Sequence, residues 1–308
     1  MKLHLISAIL GAMFSDTHFH FRNMTENRGV DGAAALTAMA ERKCAFALDI
    51  GTEADDLLER QACLEKAISQ MDFDAATKAR DFVYFSAGIW PSVDEIHARA
   101  QRMEVLKAQI ECAANDENQD TLHRKIVALG EFGLDHHWNP AGADGRCESD
   151  FDSETFFGEQ ELFEMQLNLA REMKLPSIIH SRDAFEDTLA CIKRVGNHDG
   201  IIHCYSYGLE EAKKFLDLGW YISFSGSVTY TKKSKMEDML ALLRYVPEDR
   251  ILCETDSPYL APVPLRGQAC SPVFVEHTYR FVADAREVSA EELSETVDKN
   301  IKALFFER

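Results

Sequence analysis

No apolar run in this chain approaches the roughly 20 residues that a membrane span needs. No CxxC pair occurs among its eight cysteines, at positions 44, 63, 112, 147, 191, 204, 253 and 270, and neither a low-complexity tract nor an obvious internal repeat is present. These absences argue against an integral membrane protein, a thiolate zinc module and a repeat solenoid. Positive charge is also scarce, with 33 Lys and Arg against 52 Asp and Glu, a formal net charge of -19. A body so acidic repels polyanions at long range, so a general nucleic-acid-coating role is excluded and any such contact has to be local or metal-mediated. A chain of 308 residues has no need of disulfide staples, and its thiols fit a reducing cytoplasm.

What is present is an ordinary globular composition, 46% apolar and 28% charged, at a length that α/β barrels occupy as one unit. Met1 to Met13 read as a short extension before the first strand. Lys2 followed by Leu5 to Phe14 loosely imitates a signal peptide, and Met13 is an alternative start. From there, short β-branched or aromatic runs alternate with stretches of helical periodicity. Eight strands are predicted, at 14 to 20, 44 to 51, 82 to 89, 126 to 134, 176 to 181, 200 to 205, 220 to 226 and 251 to 256. Helices are predicted over Asp31 to Lys43, Glu53 to Ser69, Val93 to Cys112, Thr155 to Lys174, Asp183 to Val195, Leu209 to Leu218, Lys233 to Tyr245, Val273 to Arg286 and Ala290 to Phe306. Strand then helix, eight times over, is the pattern of a single-domain TIM (β/α)8 barrel spanning 1 to 308. A doubly wound open sheet is the alternative, because strand order is not readable from one sequence. Asn139 to Glu154, with two Gly, a Pro and several carboxylates, is expected to form an acidic loop on the active face, and Pro258 to Pro272 a Pro-rich one.

His18 and His20 stand two apart on the first strand, so both side chains point to one face. That signal is weak alone, but four further strands end on a possible metal ligand: Glu131, His180, His203 and Asp256. Catalytic groups of barrel enzymes come from the C-terminal strand ends, so the six are expected to converge. Singly, His180 and His203 behind their Ile-Ile pairs could be interior histidines, and Glu131 would be costly to bury without a cation. Together, imidazole and carboxylate without thiolate suit Zn, Mn or Mg. With Glu131 bridging, six donors divide into two divalent-ion sites, and Asp256 holds a metal, orients the attacking water or deprotonates it. Glu254 and Asp16, each two before a ligand, are candidate acceptors for liganding histidines. At the mouth, His137 is read as contacting substrate, His136 as solvent-facing and Cys204 as packing. Arg182, Arg266 and the Thr231-Lys-Lys-Ser-Lys235 loop containing Lys232 are candidates for phosphate. Tyr205, Tyr207, Tyr230 and Tyr259 could stack on a base, with packing the favoured role.

Six segments carry a resemblance: Asp16-Thr-His-Phe-His20, Gly130-Glu-Phe-Gly-Leu-Asp135, Ile179-His-Ser-Arg-Asp-Ala184, His203-Cys-Tyr-Ser206, Tyr221-Ile-Ser-Phe-Ser-Gly226 and Glu254-Thr-Asp-Ser-Pro-Tyr-Leu-Ala-Pro-Val-Pro264. In this series the chain resembles the TatD-type deoxyribonucleases of the amidohydrolase superfamily. The resemblance implies a TIM barrel, two divalent ions on the residues matching His18, His20, Glu131, His180, His203 and Asp256, and Mg-dependent, often exonucleolytic, cleavage of DNA. Two departures bear on substrate choice. Leu265 stands where the family's Pro-x-Arg-Gly stretch usually has His, and His203-Cys-Tyr-Ser-Tyr-Gly208 carries one extra residue. The leading expectation is a phosphodiesterase acting on DNA ends or short single strands, with no membrane and no obligate protein partner. A C-N or ester hydrolase with the same site, and a metal-holding binding component without catalysis, are the alternatives.

Overall fold

A computed structural model describes residues 14 to 115, 126 to 137 and 152 to 307. The expectations for 1 to 13 and for nearly all of the acidic loop lie outside them. The eight strands are β1 (Asp16–Phe19), β2 (Ala47–Asp49), β3 (Val83–Ala87), β4 (Ile126–Asp135), β5 (Ser177–Arg182), β6 (Gly200–Ile202), β7 (Tyr221–Phe224) and β8 (Ile251–Cys253). They form one sheet in sequential order, every adjacent pair parallel. Between β8 and β1 the sheet is closed by a parallel bridge from Phe19 to Ser257 and by two backbone hydrogen bonds. The His20 N–H donates to the Ser257 carbonyl at 2.7 Å, and the Asp256 N–H to the His18 carbonyl at 2.9 Å. The barrel is confirmed and the open sheet excluded.

Parallel strands need crossovers, and buried strands need cover on the outer face. The helices supply both: α1 (Gly32–Glu41), α2 (Leu57–Ile68), α3 (Phe73–Phe82), α4 (Val93–His97), α5 (Arg99–Asn115), α6 (Ser153–Met173), α7 (Phe185–Val195), α8 (Leu209–Asp217), α9 (Met236–Tyr245), α10 (Val275–Arg286) and α11 (Ala290–Phe305). Strand residues such as Ile178, Ile179, Ile201 and Ile202 are buried in a core that includes helix residues such as Phe163, Leu189 and Phe215. Among the described residues no helix is long and apolar enough to cross a membrane.

Three differences from the expected elements have identifiable causes. Helix α3 is not predicted, because the face it buries is small (Ala75, Ala76, Ala79) and gives little apolar periodicity; its start signal is Asp72, whose side chain accepts from the Ala75 N–H. The helix expected over Val93 to Cys112 breaks at Ala98, between α4 and α5. Asp152 caps α6, so Ser153 and Glu154 belong to that helix rather than to the acidic loop.

Close approach of β4 and β5 demands glycine at position 133. Its φ is +154°, and a Cβ there would lie 1.9 Å from the His180 carbonyl oxygen. Gly133→Ala is therefore expected to force β5 away and to destabilise the protein by about 3 kcal/mol or more, measured by urea denaturation; a loss below 1 kcal/mol would contradict this packing. At the opposite end of β1, Ser15 donates to Asp298 on α11 at 2.6 Å, and burial pushes the Asp298 carboxyl up to about 6. The folded state then binds more protons than the unfolded chain between the ordinary carboxylate range and pH 6. This contribution to stability is full below the unfolded pKa and lost as pH rises through 6. Asp298→Asn is expected to remove that dependence, seen as a smaller stability difference between pH 4.5 and pH 7 than in the wild type.

Candidate active site

His18 lies in β1 and His20 just beyond it, and their Nε2 atoms approach to 3.3 Å at the barrel mouth. Glu131 lies within β4, which ends at Asp135, one residue beyond the predicted 134, and not at the strand's end. It sits at a bulge, where Gly130 pairs with Ile178 and Phe132 with Ile179, leaving Glu131 as the extra residue. A bulge re-aims a side chain, and here it sends the carboxylate among the histidines. Its backbone is held from the other side, the Glu131 N–H donating to the Gly51 carbonyl at 2.8 Å. Behind Gly51, its N–H donates to Ser86 Oγ, and the buried Arg60 ties the Ser86 carbonyl to Asp49 and Asp56.

His180 lies within β5, while His203 and Asp256 follow β6 and β8, in loops rather than on the strands expected to reach 205 and 256. Asp256 adopts a left-handed φ of +60°. All six residues converge. Glu131 Oε1 is 3.6 Å from His20 Nε2, and Oε2 is 2.8 Å from His203 Nε2, 3.6 Å from His18 Nε2 and 3.7 Å from His180 Nδ1. Asp256 Oδ1 is 3.4 Å from His20 Nε2 and 3.8 Å from His18 Nε2. The rings of His18 and His203 stack at 4.0 Å.

Several partners of these groups differ from expectation. Glu254 stands beside His203, with Oε1 3.4 Å from Nδ1, and accepts from the Cys204 N–H at 2.6 Å. Asp16 does not touch an imidazole. It accepts from the His18 and Thr255 N–H groups and from Thr255 Oγ, one layer below the ring, so it ties β1 to β8 through the backbone. Burial pushes its carboxyl up to about 8. Asp135, to which the sequence assigned no role, is 3.1 Å from His180 Nε2. It also takes Arg182 Nε and Nη2, at 3.0 and 2.8 Å, so Arg182 is engaged within the protein rather than standing free for phosphate. The signal for Asp135 was its period-two spacing from Glu131.

At the mouth, His137 faces outward against Asp183 at 2.7 Å. His136 is not solvent-facing: it tucks against Glu159 at 3.3 Å and the Phe156 ring. Tyr205 is buried, with its hydroxyl donating to the Gly208 carbonyl, so its ring is not open to a base; Tyr207, partly buried, packs its ring against Phe185 and Tyr205 and accepts from the Ala184 N–H. Lys232 is exposed, and Arg266 lies over the Tyr230 ring at 4.4 Å. Cys204 Sγ packs against Ser225 Oγ at 3.2 Å.

Electrostatics decide what the cluster can hold. Burial disfavours the Glu131 carboxylate, but His203 and His18 together hold it well below the usual carboxylate range. Burial, reinforced by His203, pushes His18 well below the usual imidazole range. Against the pull of burial, the carboxylates of Asp256, Asp135 and Glu131 push His20, His180 and His203 upward. The cluster thus demands positive charge at its centre, which protons or a cation can supply. Two donor sets compact enough for an ion share Glu131, one with His18 and His20 and the other with His180 and His203. Glu131 Oε2 and His18 Nδ1 have no well-aligned hydrogen-bond partner among the described residues. An ionised carboxylate among imidazole lone pairs is a donor set that fits divalent metal.

Comparison with known proteins agrees in length and in fold. The family described as TatD related DNase matches residues 15–306. The uncharacterized metal-dependent hydrolase YcfH of Escherichia coli (strain K12) is 33% identical over 293 residues, 94% of each chain. The uncharacterized metal-dependent hydrolase YabD of Bacillus subtilis is 33% identical over 266 residues, 82% of this chain and 93% of that one. Among solved structures, the TatD homolog YJJV of Escherichia coli superposes with a TM-score of 0.74 at 26% identity, over 95% of this chain and 97% of that one. A phosphotriesterase homology protein of Escherichia coli, 14% identical with a TM-score of 0.59, covers 96% of this chain and 99% of its own and shares the fold. The chain belongs to the TatD-related DNase family of metal-dependent hydrolases.

Proposed function

We propose that this protein hydrolyses phosphodiester bonds of DNA, releasing nucleotides from ends or short single strands, with two divalent ions at the barrel mouth. The observation that carries the reading is the place of Glu131 in two compact donor sets, one with His18 and His20 and the other with His180 and His203, its Oε1 nearest His20 and its Oε2 nearest His203. One carboxylate shared by two donor sets is what a paired site requires. His18, His20 and Asp256 would hold one ion, His180 and His203 the other, and Glu131 both. Mg, Mn and Zn all suit the donors. When bound, such ions supply Lewis acidity to the phosphoryl group and to the attacking water.

The protein's own part is positioning and proton transfer. Asp256, held at the seam between β8 and β1, accepts the proton of the water that attacks phosphorus. Asp135 orients His180, and Glu254 orients His203, each contacting the ring nitrogen turned away from Glu131 or beside it. The free thiols among the described residues suit a reducing compartment such as the cytoplasm.

The direct test is release of nucleotides from labelled single-stranded DNA by metal-loaded protein with Mg or Mn. Turnover of small amides or esters without turnover of phosphodiesters would defeat the reading. Asp256→Asn is expected to lower kcat by about 10² to 10⁴-fold while metal analysis still finds bound ion; undiminished kcat would remove Asp256 from the proton-transfer step. Glu254→Gln is expected to weaken metal binding by about 10 to 100-fold, measured by titrating metal-free protein with Mn or Zn. Unchanged affinity would reduce the His203 contact to packing.

A further inference from the structure

Two aromatic rings at the barrel mouth have no part in the chemistry above. Trp90, half-buried in the loop after β3, stands edge to face with His180, ring centroids 5.9 Å apart and planes at 72°. Tyr259, 42% exposed in the loop after β8, bears the same relation to His20, at 6.1 Å and 74°. His180 and His20 approach different oxygens of Glu131, and the loops after β3 and β8 are three strands apart around the barrel, so the rings approach the histidine set from different sides.

Both rings sit on anchored backbone. The Trp90 N–H donates to the Thr52 carbonyl at 2.9 Å, and the Trp90 carbonyl accepts from the Ser92 N–H at 2.7 Å. The Tyr259 N–H donates to the Asp256 carbonyl at 2.8 Å, its hydroxyl accepts from the Asn23 side chain at 2.7 Å, and the Arg28 guanidinium lies over its ring at 5.8 Å. A ring fixed at a water-facing mouth forgoes burial, and a planar ligand restores that contact. Charge points the same way. With a net charge of -19 and Arg182 engaged by Asp135, long-range attraction of the protein to a phosphate backbone is weak. Stacking does not depend on that attraction.

Resting on the reading of the site as a phosphodiesterase centre, we propose that Trp90 and Tyr259 form a two-sided stacking clamp that seats one base on each side of the scissile phosphate. The substrate class is then a single strand carrying a base on both sides of the bond, because paired bases stacked in a duplex present no free face to either ring.

The test uses metal-loaded protein and end-labelled single-stranded oligonucleotides in which the nucleotide on one or the other side of the terminal phosphodiester is replaced by an abasic residue. In the wild type, each replacement is expected to lower kcat/KM on the order of tenfold. Trp90→Ala is expected to cause a similar loss on the intact strand and to become indifferent to the base on one side while staying sensitive on the other. Tyr259→Ala is expected to show the reverse pattern, and Trp90→Phe and Tyr259→Phe to recover most of the loss. Losses that multiply independently, or a wild type that cleaves intact and abasic strands equally, would overturn the clamp and leave the phosphodiesterase reading in place. A wild type that does not cleave the intact strand at all would remove that reading, and the clamp with it. The abasic arm needs no variant to fold.

Discussion

Closure of the barrel between β8 and β1 is the constraint on which the site depends. The hydrogen bonds from Asp256 N–H to the His18 carbonyl and from His20 N–H to the Ser257 carbonyl are backbone contacts between residues far apart in sequence. They join the two strands and also fix the relative height of His18, His20 and Asp256. Below them, Asp16 spans the same seam through Thr255, in both backbone and side chain. Burial pushes this carboxyl up to about 8, and the hydrogen bonds it accepts from Thr255 and His18 offset part of that cost.

A second constraint acts across the barrel. The bulge at Glu131 gives up one regular strand pairing, and the backbone just beyond β2 takes over through the Gly51 carbonyl. The charge that makes this possible lies behind it. Arg60 is buried between the carboxylates of Asp49 and Asp56 and donates to the Ser86 carbonyl, so its own charge is fully compensated. A buried ionic cluster of this kind adds little to stability but holds one geometry. Here the geometry held is that of the segment from which Glu131 projects.

The barrel and the convergence of six side chains were legible in the sequence because they follow from periodicity and from one topological rule, that strand ends meet at one face. What was not legible depended on local departures from regular strand. Period two puts Glu131 on one face of β4, a strand read to within one residue of its end at Asp135, but the bulge that aims its carboxylate is announced by no residue type. Asp16 shares a face with His18, but sharing a face does not say which layer a side chain occupies, so its bonds to Thr255 were missed. Helix α3 was lost because alanine buries a face without an apolar signature. Trp90 carried no motif, and its relation to His180 exists only once β3 and β5 are placed around the barrel.

Net charge and site geometry constrain the proposed substrate together. Screening at physiological ionic strength falls off over about 8 Å, so a long duplex lying along an acidic surface is repelled wherever it comes within that distance. An end entering the mouth meets a different field. Glu131, Asp256, Asp135 and Glu254 demand cations, and once these are bound the local potential reverses sign over the few ångströms that matter for a phosphate. Repulsion from the body and attraction at the centre then act on different parts of a polymer. The longer the polymer, the more of it lies in the repulsive zone, while the attraction saturates at one phosphate. On the proposed reading, a fold that concentrates its positive charge at one point and keeps a net acidic body would select short strands before any base is recognised.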